Sequence, residues 1–371
     1  MNRLFHKPFR QFCLLSGTIA CLGLQALAQA EVEKFTGLPL NKIQMIGSHN
    51  SYKPGIEPAL FSIISKMDSA RAAALQYGHI GLKEQLNMGL RNLELDVVHD
   101  PVGGRYNKPM GLEWLQLSAV VAEPYDTAGD LKKPGLKVLH VPDVDFRSEH
   151  LLFIDCLMAL LEWSKQNPGH LPVIVTINAK DGFEKGLTPL LPFGPSALDS
   201  IDLEIRQIFS SEKLITPDFI RGTYSSLAER IFKNGWPALE KLAGRFLFVL
   251  DETGQKRTDY KHGHPALKER VMFVNEPDGN AEAAVMIIND PQKDGTLIGE
   301  MIRKGYLVRT RADANTVEAR ENNYQRFKAA IESGAQIITT DYYLPSKFFH
   351  SPYKVVFPGG GFVRKNPVTS K

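Results

Sequence analysis

Residues 43–52 read IQMIGSHNSY, a short apolar run followed directly by a polar, hydrogen-bonding stretch. Such a run predicts a buried β-strand that ends near Gly47. A dinucleotide-binding fold would need a glycine-rich fingerprint here, because the phosphates must approach the backbone closely. The stretch from Gly47 to Tyr52 lacks that fingerprint and carries His49 and Asn50 instead. The sequence therefore argues against an open doubly wound sheet.

Seven further apolar, β-branched runs follow, and helical patterns lie between many of them. With residues 43–47, the strand candidates are residues 90–97, 136–141, 172–177, 245–250, 271–274, 306–308 and 335–339. The helical candidates are residues 151–166, 198–209 and 316–333, the last ended by Gly334. Continuous apolar strands suit a parallel sheet that is covered on both faces. We expect an α/β protein, a TIM (β/α)₈ barrel in a single catalytic domain over residues 31–371, with irregular segments at about 98–135, 182–196 and 252–268.

The first 30 residues have the pattern of an export signal. An apolar run over residues 12–24 follows a basic start made of Arg3, Lys7 and Arg10. Alanines at positions 28 and 30 then give the spacing that a signal peptidase reads. The run is shorter than the stretch of about 20 residues that spans a bilayer. We predict a signal peptide over residues 1–30, cleaved near 28–30, and export to the periplasm or the medium of a bacterium.

The net charge of the chain limits the kinds of molecule that it is expected to bind. Its 371 residues include 44 basic and 41 acidic ones, for a formal charge of +3. Residues 1–30 hold three of the basic residues and none of the acidic ones, so the remainder is formally neutral. A neutral protein lacks the basic surface that binds nucleic acid and has no general attraction to anionic membranes. We therefore expect a monomer with no nucleic-acid partner and only a transient, local membrane contact.

Polar residues stand where several predicted strands end, and those ends carry the active site of a β/α barrel. Glu94 and Asp96 are two residues apart on one strand, so they face the same way, about 7 Å apart along it. Burying two carboxylates without a cation is expensive. A divalent cation held by both and by the Asn50 oxygen would remove that cost, and oxygen ligands favour Ca²⁺ or Mg²⁺. The alternative is a structural pair neutralised by Arg91 or Lys137.

Two histidines, His49 and His140, each directly end a predicted apolar strand. Because histidine titrates near neutral pH, a pair of imidazoles can accept a proton from a nucleophile and donate one to a leaving group. We predict that these two form the acid/base pair. His99 remains the alternative to His140 because it lies close to Asp96, although its odd spacing from Asp96 would turn it to the other face of the strand.

Together these motifs resemble phosphatidylinositol-specific phospholipase C, and most closely its calcium-dependent secreted bacterial group. The resemblance is carried, in this order, by residues 46–52, 93–97, 138–148, 308–313 and 339–345. It implies a distorted TIM barrel that cleaves the phosphodiester of a phosphoinositide lipid. The inositol 2-hydroxyl would attack phosphorus and diacylglycerol would leave, giving a cyclic inositol phosphate first.

The resemblance also implies roles for particular residues. Carried over by position, the acid/base histidines are His49 and His140, and the calcium ligands are Asn50, Glu94 and Asp96. Residues 172–178 resemble the fourth strand of eukaryotic members, where a glutamate normally occupies the place of Asn178. An amide can ligate calcium through its oxygen but adds no charge. We therefore expect Asn178 to give a weaker calcium site than a glutamate would.

Two basic residues near the predicted strand ends are candidates for binding phosphate. Lys180 lies just after the fourth strand and could equally be a solvated loop lysine. Arg311 shares a face with Arg309 but is nearer the strand end, which favours it for phosphate; its alternative is a structural pair with Asp313. The apolar loop at residues 187–194 could either dock into lipid or fold onto its own barrel.

Other interpretations of the same motifs remain open. Glycerophosphodiester phosphodiesterases and sphingomyelinase D-type enzymes also combine two histidines with Glu-x-Asp on a barrel, but the former usually have His-Arg where this chain has His49-Asn50. Metal-independent phosphatidylinositol phospholipases place an arginine where the cation would lie, and the pair of Glu94 and Asp96 argues against them. The non-enzymatic alternative is a secreted ligand-binding barrel that has lost turnover.

Overall fold

The computed structural model describes residues 32–369, and the strands of this part form one sheet. In chain order they are β1 (Ile43–Ser48), β2 (Asn92–Val98), β3 (Lys137–Val138), β4 (Val173–Lys180), β5 (Phe246–Leu250), β6 (Phe273–Val274), β7 (Val285–Ile287), β8 (Leu307–Arg311), β9 (Ile337–Thr340) and β10 (Val363–Lys365). The parallel members follow the order β6, β5, β4, β2, β1, β9, β8 and β7. A parallel bridge between Asn275 and Val285 joins the two ends of that order. The sheet is therefore a nearly closed barrel, and the predicted fold class is confirmed.

Helices lie in the connections between the strands. They are α1 (Pro58–Met67), α2 (Ser69–Leu75), α3 (Leu82–Met88), α4 (Met110–Leu117), α5 (Phe153–Gln166), α6 (Pro195–Ile208), α7 (Pro217–Arg221), α8 (Leu227–Asn234), α9 (Leu239–Leu242), α10 (Gly254–Lys261), α11 (Pro291–Arg303), α12 (Val317–Glu321) and α13 (Gln325–Ser333). Short 3₁₀ turns cover Leu40–Lys42, Asp130–Lys132, Ser211–Lys213 and Pro265–Leu267. Among residues 32–369, no helix is both long and apolar enough to cross a bilayer. The predicted signal peptide, residues 1–30, lies outside the described residues.

One of the eight segments predicted as barrel strands does not form one. Residues 136–141 contribute only the two residues of β3, which pair antiparallel with Val97 and Val98 of β2 and do not join the barrel. The parallel strand that the sequence missed is β7, which pairs with β8. Three extended residues are too few to give a recognisable strand pattern.

Two predictions about the connections need correction. Residues 316–333 form two helices, because Asn322 has a φ of 50° and ends α12 in the left-handed region, which Asn tolerates. Gly334 is confirmed as the stop of α13, with a φ of 81°. Two of the three segments expected to be irregular contain a helix: α4 lies within residues 98–135 and α10 within residues 252–268. In the remaining segment, residues 182–194 contain no helix.

Alternate residues of β2 face opposite sides of the sheet. Leu93, Leu95 and Val97 pack in the main hydrophobic core together with residues of α5 and α6. Glu94, between them, contacts Arg309 of β8. Because β1 and β9 separate β2 from β8 in the sheet, this contact crosses the barrel. The apolar face therefore meets the helices, and the polar face lines the barrel interior.

A glycine brings the first two strands together. β1 and β2 pair only at Gly47 and Asn92, and a Cβ at position 47 would lie 2.5 Å from the Cβ of Asn92. Only glycine allows such an approach. The segment after β1 then lies against β2, and the Ser51 N–H donates to the Glu94 carbonyl at 2.9 Å.

A buried histidine in the core predicts an acid sensitivity. His170 is fully buried, and its Nε2 lies 2.9 Å from Ser164 Oγ. Burial lowers the pKa of His170 to about 3, against about 6.5 in an unfolded chain. The unfolded state therefore binds the additional proton, so stability is lost as the pH falls from about 6.5 towards 3, by up to about 1.4 kcal/mol per pH unit.

Urea unfolding tests this pH dependence. Between about pH 7 and pH 5, we expect the free energy of unfolding to fall less in His170→Gln than in the native protein. The control is His262→Gln at an exposed position, which should follow the native protein. An equally steep fall in His170→Gln would contradict the assignment.

Candidate active site

The two carboxylates of β2 meet an amide of β4 inside the barrel. Asp96 and Asn178 are direct partners in the register of β2 and β4. The Asn178 Nδ2 group donates to Glu94 Oε1 and to Asp96 Oδ1, at 2.9 Å each. One oxygen of each carboxylate is therefore directed at the same point.

The other oxygen of each carboxylate faces a cationic side chain. Arg309 donates to Glu94 Oε2 from across the barrel. The Lys180 Nζ lies 3.3 Å from Asp96 Oδ2. Burial alone would raise the pKa of Asp96, but Lys180 and further positive groups hold it below its usual value. Asp96 in turn raises the pKa of Lys180.

The cationic side chains beside Glu94 and Asp96 are not Arg91 or Lys137, which the sequence offered as the alternative. Arg91 donates to the carbonyl oxygens of Leu86 and Leu90. Lys137 lies 3.6 Å from Asp100 and donates to backbone carbonyls. Both side chains pair with other groups, so the alternative in which Arg91 or Lys137 neutralises Glu94 and Asp96 is wrong.

His49 is held by a buried carboxylate at the end of β9. Its Nδ1 lies 2.8 Å from Asp341 Oδ1, so the Nδ1–H donates to Asp341 and Nε2 keeps its lone pair. The Arg311 guanidinium lies 3.3 and 3.4 Å from the two ring nitrogens. Burial, followed by Arg311, lowers the pKa of His49 well below its ordinary value. The neutral imidazole presents Nε2 as a proton acceptor.

Arg311 pairs with Asp341 rather than with the side chain of Asp313. Its Nη2 lies 3.3 Å from Asp341 Oδ2, and its Nε donates to the Asp313 carbonyl at 3.0 Å. The Asp313 carboxylate instead accepts the Asp341 N–H at 2.9 Å. Burial, followed by the charge of Asp341, raises the pKa of Asp313 to about 7. Asp313 thus fixes the turn that carries Asp341.

His140 has a similar arrangement on the other side of the site. Its Nδ1 lies 2.7 Å from Asp145 Oδ2, and the same oxygen accepts a hydrogen bond from Lys53. Lys53 is fully buried, donates to the Leu75 carbonyl at 2.8 Å and lies 4.3 Å from the centre of the Tyr77 ring. Each histidine is therefore oriented through Nδ1 by a buried aspartate.

Tyr77 lies close to both histidines. Its ring centre is 5.9 Å from that of His49 and 6.4 Å from that of His140. The Tyr77 hydroxyl lies 2.7 Å from one end of the Asn50 amide, whose other end lies 3.3 Å from both carboxylate oxygens of Asp96. Turning that amide by 180° places either its NH₂ or its oxygen against Asp96. Asn50 has a φ of 49°, so the backbone turns sharply after His49.

The donor set fits a hard divalent cation. The side chains of Asn50, Glu94, Asp96 and Asn178 carry oxygens, and one oxygen of each carboxylate converges on the Asn178 amide. That amide turns its NH₂ towards the carboxylates here, and a rotation of 180° would present its oxygen to a cation instead. Such a set is typical of Ca²⁺ or Mg²⁺ sites and not of zinc sites. Residues 32–369 contain no group of three or more His, Cys, Asp or Glu side chains arranged to hold a metal ion. A cation here would therefore have two carboxylate ligands, with amide oxygens as the further protein ligands.

Comparison with protein families decides what kind of barrel this is. Residues 38–367 match the family described as phosphoinositide phospholipase C, Ca²⁺-dependent. The chain belongs to this family. It is therefore an enzyme, a calcium-dependent phosphoinositide phospholipase C, and the resemblance found in the sequence is confirmed. Comparison with curated proteins gave no match.

Solved phospholipases C of two bacteria share the fold. A calcium-dependent phosphoinositol-specific phospholipase C from a Gram-negative Pseudomonas species, in its myo-inositol complex, is 16% identical with a TM-score of 0.52, and the match covers 90% of this chain and 97% of that one. The Ca²⁺-dependent phosphatidylinositol-specific enzyme of Streptomyces antibioticus is 18% identical with a TM-score of 0.52, over 86% of this chain and 100% of that one. At these identities the likeness supports the barrel fold.

The structure brings the predicted site residues of this phospholipase C together. His49, His140 and the four oxygen-bearing side chains lie in one connected network, with Lys180 and Arg311 at its edge. His99 lies apart, with its ring centre 5.7 Å from that of Phe193.

Sequence reasoning missed several members of the network. Asp341 lies within the motif of residues 339–345 and Asp145 within that of residues 138–148, but neither motif indicates a role for its aspartate; the spacing of five residues between His140 and Asp145 was a usable signal. Tyr77 and Lys53 come from the connection between β1 and β2, where no periodicity marks a site residue. Arg309 was noted only as sharing a face with Arg311, because a contact across a closed barrel leaves no trace in local sequence.

Proposed function

We propose that this phospholipase C cleaves phosphatidylinositol-type lipids to diacylglycerol and an inositol phosphate, with a cyclic phosphate as the first product. One observation carries the proposal: two histidines, each oriented by a buried aspartate, lie close to Tyr77 and beside a set of oxygen-bearing side chains. That arrangement supplies a base, an acid and a cation site to one phosphodiester.

The chemistry follows from the hydrogen bonds of the two histidines. The inositol 2-hydroxyl forms a bond to phosphorus and loses its proton to Nε2 of His49, whose Nδ1–H is held by Asp341. The bond from phosphorus to the diacylglycerol oxygen breaks, and that oxygen takes a proton from His140. Arg311, beside His49, offers its guanidinium to a phosphate oxygen. Calcium, held by oxygens of Asn50, Glu94 and Asp96, would stabilise the charge that develops on the phosphoryl group.

Product analysis tests this proposal. The purified enzyme would be offered phosphatidylinositol, glycerophosphoinositol and sphingomyelin with Ca²⁺, Mg²⁺ or a chelator, and phosphorus would be followed by NMR. We expect a cyclic inositol phosphate from phosphatidylinositol that depends on Ca²⁺. Release of glycerol 3-phosphate would favour a glycerophosphodiesterase, release of choline a sphingomyelinase D, and no turnover a ligand-binding barrel.

Export is part of the proposed function. The basic start, apolar run and alanine spacing within residues 1–30 support a cleaved signal and a place in the periplasm or the medium. These residues lie outside the described part of the chain.

A lipid substrate requires contact with a membrane surface. The loop at residues 187–194 is not exposed as a unit, because Leu187 packs against an apolar cluster and Phe193 is buried. Exposed apolar side chains in the connections that follow β2 and β4 include Leu117 at the end of α4, Val121 after it and Phe183 after β4, at 78%, 94% and 71% exposure. Phe183 also lines a cavity of about 240 Å³, and His140 and Lys180 line the same cavity. We propose that these three side chains enter the lipid surface.

Vesicle binding tests the docking surface. We expect a Leu117→Asp, Val121→Asp variant to bind phosphatidylcholine–phosphatidylinositol vesicles at least tenfold more weakly, since burying each apolar side chain contributes about 1.5–3 kcal/mol. Hydrolysis of water-soluble cyclic inositol phosphate should be unchanged.

The control for this prediction lies at the opposite end of the barrel. Phe232 is 83% exposed, and its neighbour Ile231 lies beside Gly305 at the start of β8. Phe232→Asp should bind vesicles like the native protein. Equal losses in both variants would contradict the docking surface.

A further inference from the structure

The two cations beside the carboxylates are held very differently. Arg309 is 3% exposed, donates to Asn289 at 2.8 Å and lies 3.6 Å from Asp251 as well as contacting Glu94. Lys180 is 36% exposed and, within residues 32–369, its ammonium forms no ion pair or hydrogen bond other than that with Asp96. Arg309 is therefore fixed in the barrel wall, whereas Lys180 has one partner and an open side towards solvent.

Lys180 places a positive charge on the same carboxylate that is expected to bind the metal ion. Its Nζ is 3.3 Å from Asp96 Oδ2, while Oδ1 of the same carboxylate accepts a hydrogen bond from Asn178, as Glu94 does. Calcium bound to Asp96 and the ammonium on Oδ2 would repel each other across a single carboxylate. The flexible stem of a lysine allows its charge to move away at little cost. Arg309, with its additional partners, has no such freedom.

We propose that Lys180 competes with calcium for Asp96. In the metal-free enzyme its ammonium pairs with the Asp96 carboxylate, and it moves away when the metal binds. This inference rests on the proposed function, because it assumes calcium at Asn50, Glu94 and Asp96. Once displaced, the ammonium faces the cavity of about 240 Å³ that Lys180 lines together with His140. There it meets the phosphate of the substrate, so metal binding converts a ligand competitor into a phosphate-binding group.

The proposal predicts opposite effects on two ligands. Removing the ammonium takes away a competing charge at the metal site and an attractive charge at the phosphate site. Calcium should bind more tightly, and a phosphate monoester should bind more weakly. A lysine with only a structural role would shift neither affinity in this way.

Calorimetric titration of the chelator-treated protein tests it without any measurement of turnover. We expect Lys180→Met to bind Ca²⁺ roughly two- to fivefold more tightly than the native protein at low salt, as for removal of a partly exposed ion pair. The difference should shrink at high ionic strength. Lys180→Arg, which keeps the charge, should bind Ca²⁺ like the native protein. In the calcium-loaded state, inositol 1-phosphate should bind several-fold more weakly to Lys180→Met.

A matched control separates the local effect from loss of a charge. Lys261, also partly exposed, lies 2.9 Å from Glu276 and contacts neither Glu94 nor Asp96. Lys261→Met should leave the calcium affinity unchanged. Equal calcium affinities in the native protein and Lys180→Met would overturn the competition and leave the metal assignment standing. Absence of calcium binding in every variant would overturn the metal assignment and the proposal together.

Discussion

Replacing His140 by alanine should lower kcat on phosphatidylinositol by about 10²–10⁴-fold, the usual contribution of a general acid or base. The side chain is positioned for proton transfer, because Asp145 holds Nδ1 at 2.7 Å and directs Nε2 towards the Asn50 amide, 3.2 Å away in the site. His49→Ala should lose a similar factor, since Asp341 holds its Nδ1 in the same way. Initial rates with calcium present give both values.

His99 supplies the matched control for this prediction. It is the rival that the sequence left open, and its ring packs near Phe193, away from the carboxylates. His99→Ala should therefore keep kcat within a few-fold of the native value. Near-normal activity in His140→Ala together with a large loss in His99→Ala would reverse the assignment of the second histidine.

Replacing Asp145 by asparagine should lower the free energy of unfolding by about 3 kcal/mol and also abolish most activity. The large effect arises because Lys53 is fully buried and Asp145 is its anionic partner. The substitution leaves an ammonium without a counter-ion in the protein interior. It also takes from His140 the carboxylate that fixes its orientation.

A double variant separates the two consequences. Adding Lys53→Met to Asp145→Asn removes the buried charge, so most of the stability should return while activity stays low. The control is Glu332→Gln, which breaks the exposed pair with Lys328 and should leave the free energy of unfolding nearly unchanged, because solvent screens surface pairs. Native-like stability of Asp145→Asn in urea would show that Lys53 does not depend on this carboxylate.

The sequence was most informative where a strand and its end lie within a few residues. The run into His49-Asn50 and the alternation of Glu94 and Asp96 predicted both the barrel edge and its oxygen ligands. It was least informative for residues 136–141, where an apolar run forms only a two-residue antiparallel strand. His140 still reaches the site, because the turn that pairs Val141 with Asp145 places Asp145 beside it.

By itself, the sequence determined the class of the protein: an α/β barrel with two histidines, Glu-x-Asp and Asn50 in the order of calcium-dependent phosphoinositide phospholipases C. These features are local, since they depend on periodicity and on the few residues directly after each strand. Only the tertiary structure decided which charged side chains lie next to each other. Arg309 reaches Glu94 because the sheet closes, and Asp341 reaches His49 because β9 lies beside β1. Electrostatic partners are set by distance in space, and barrel closure joins residues that are more than 200 positions apart.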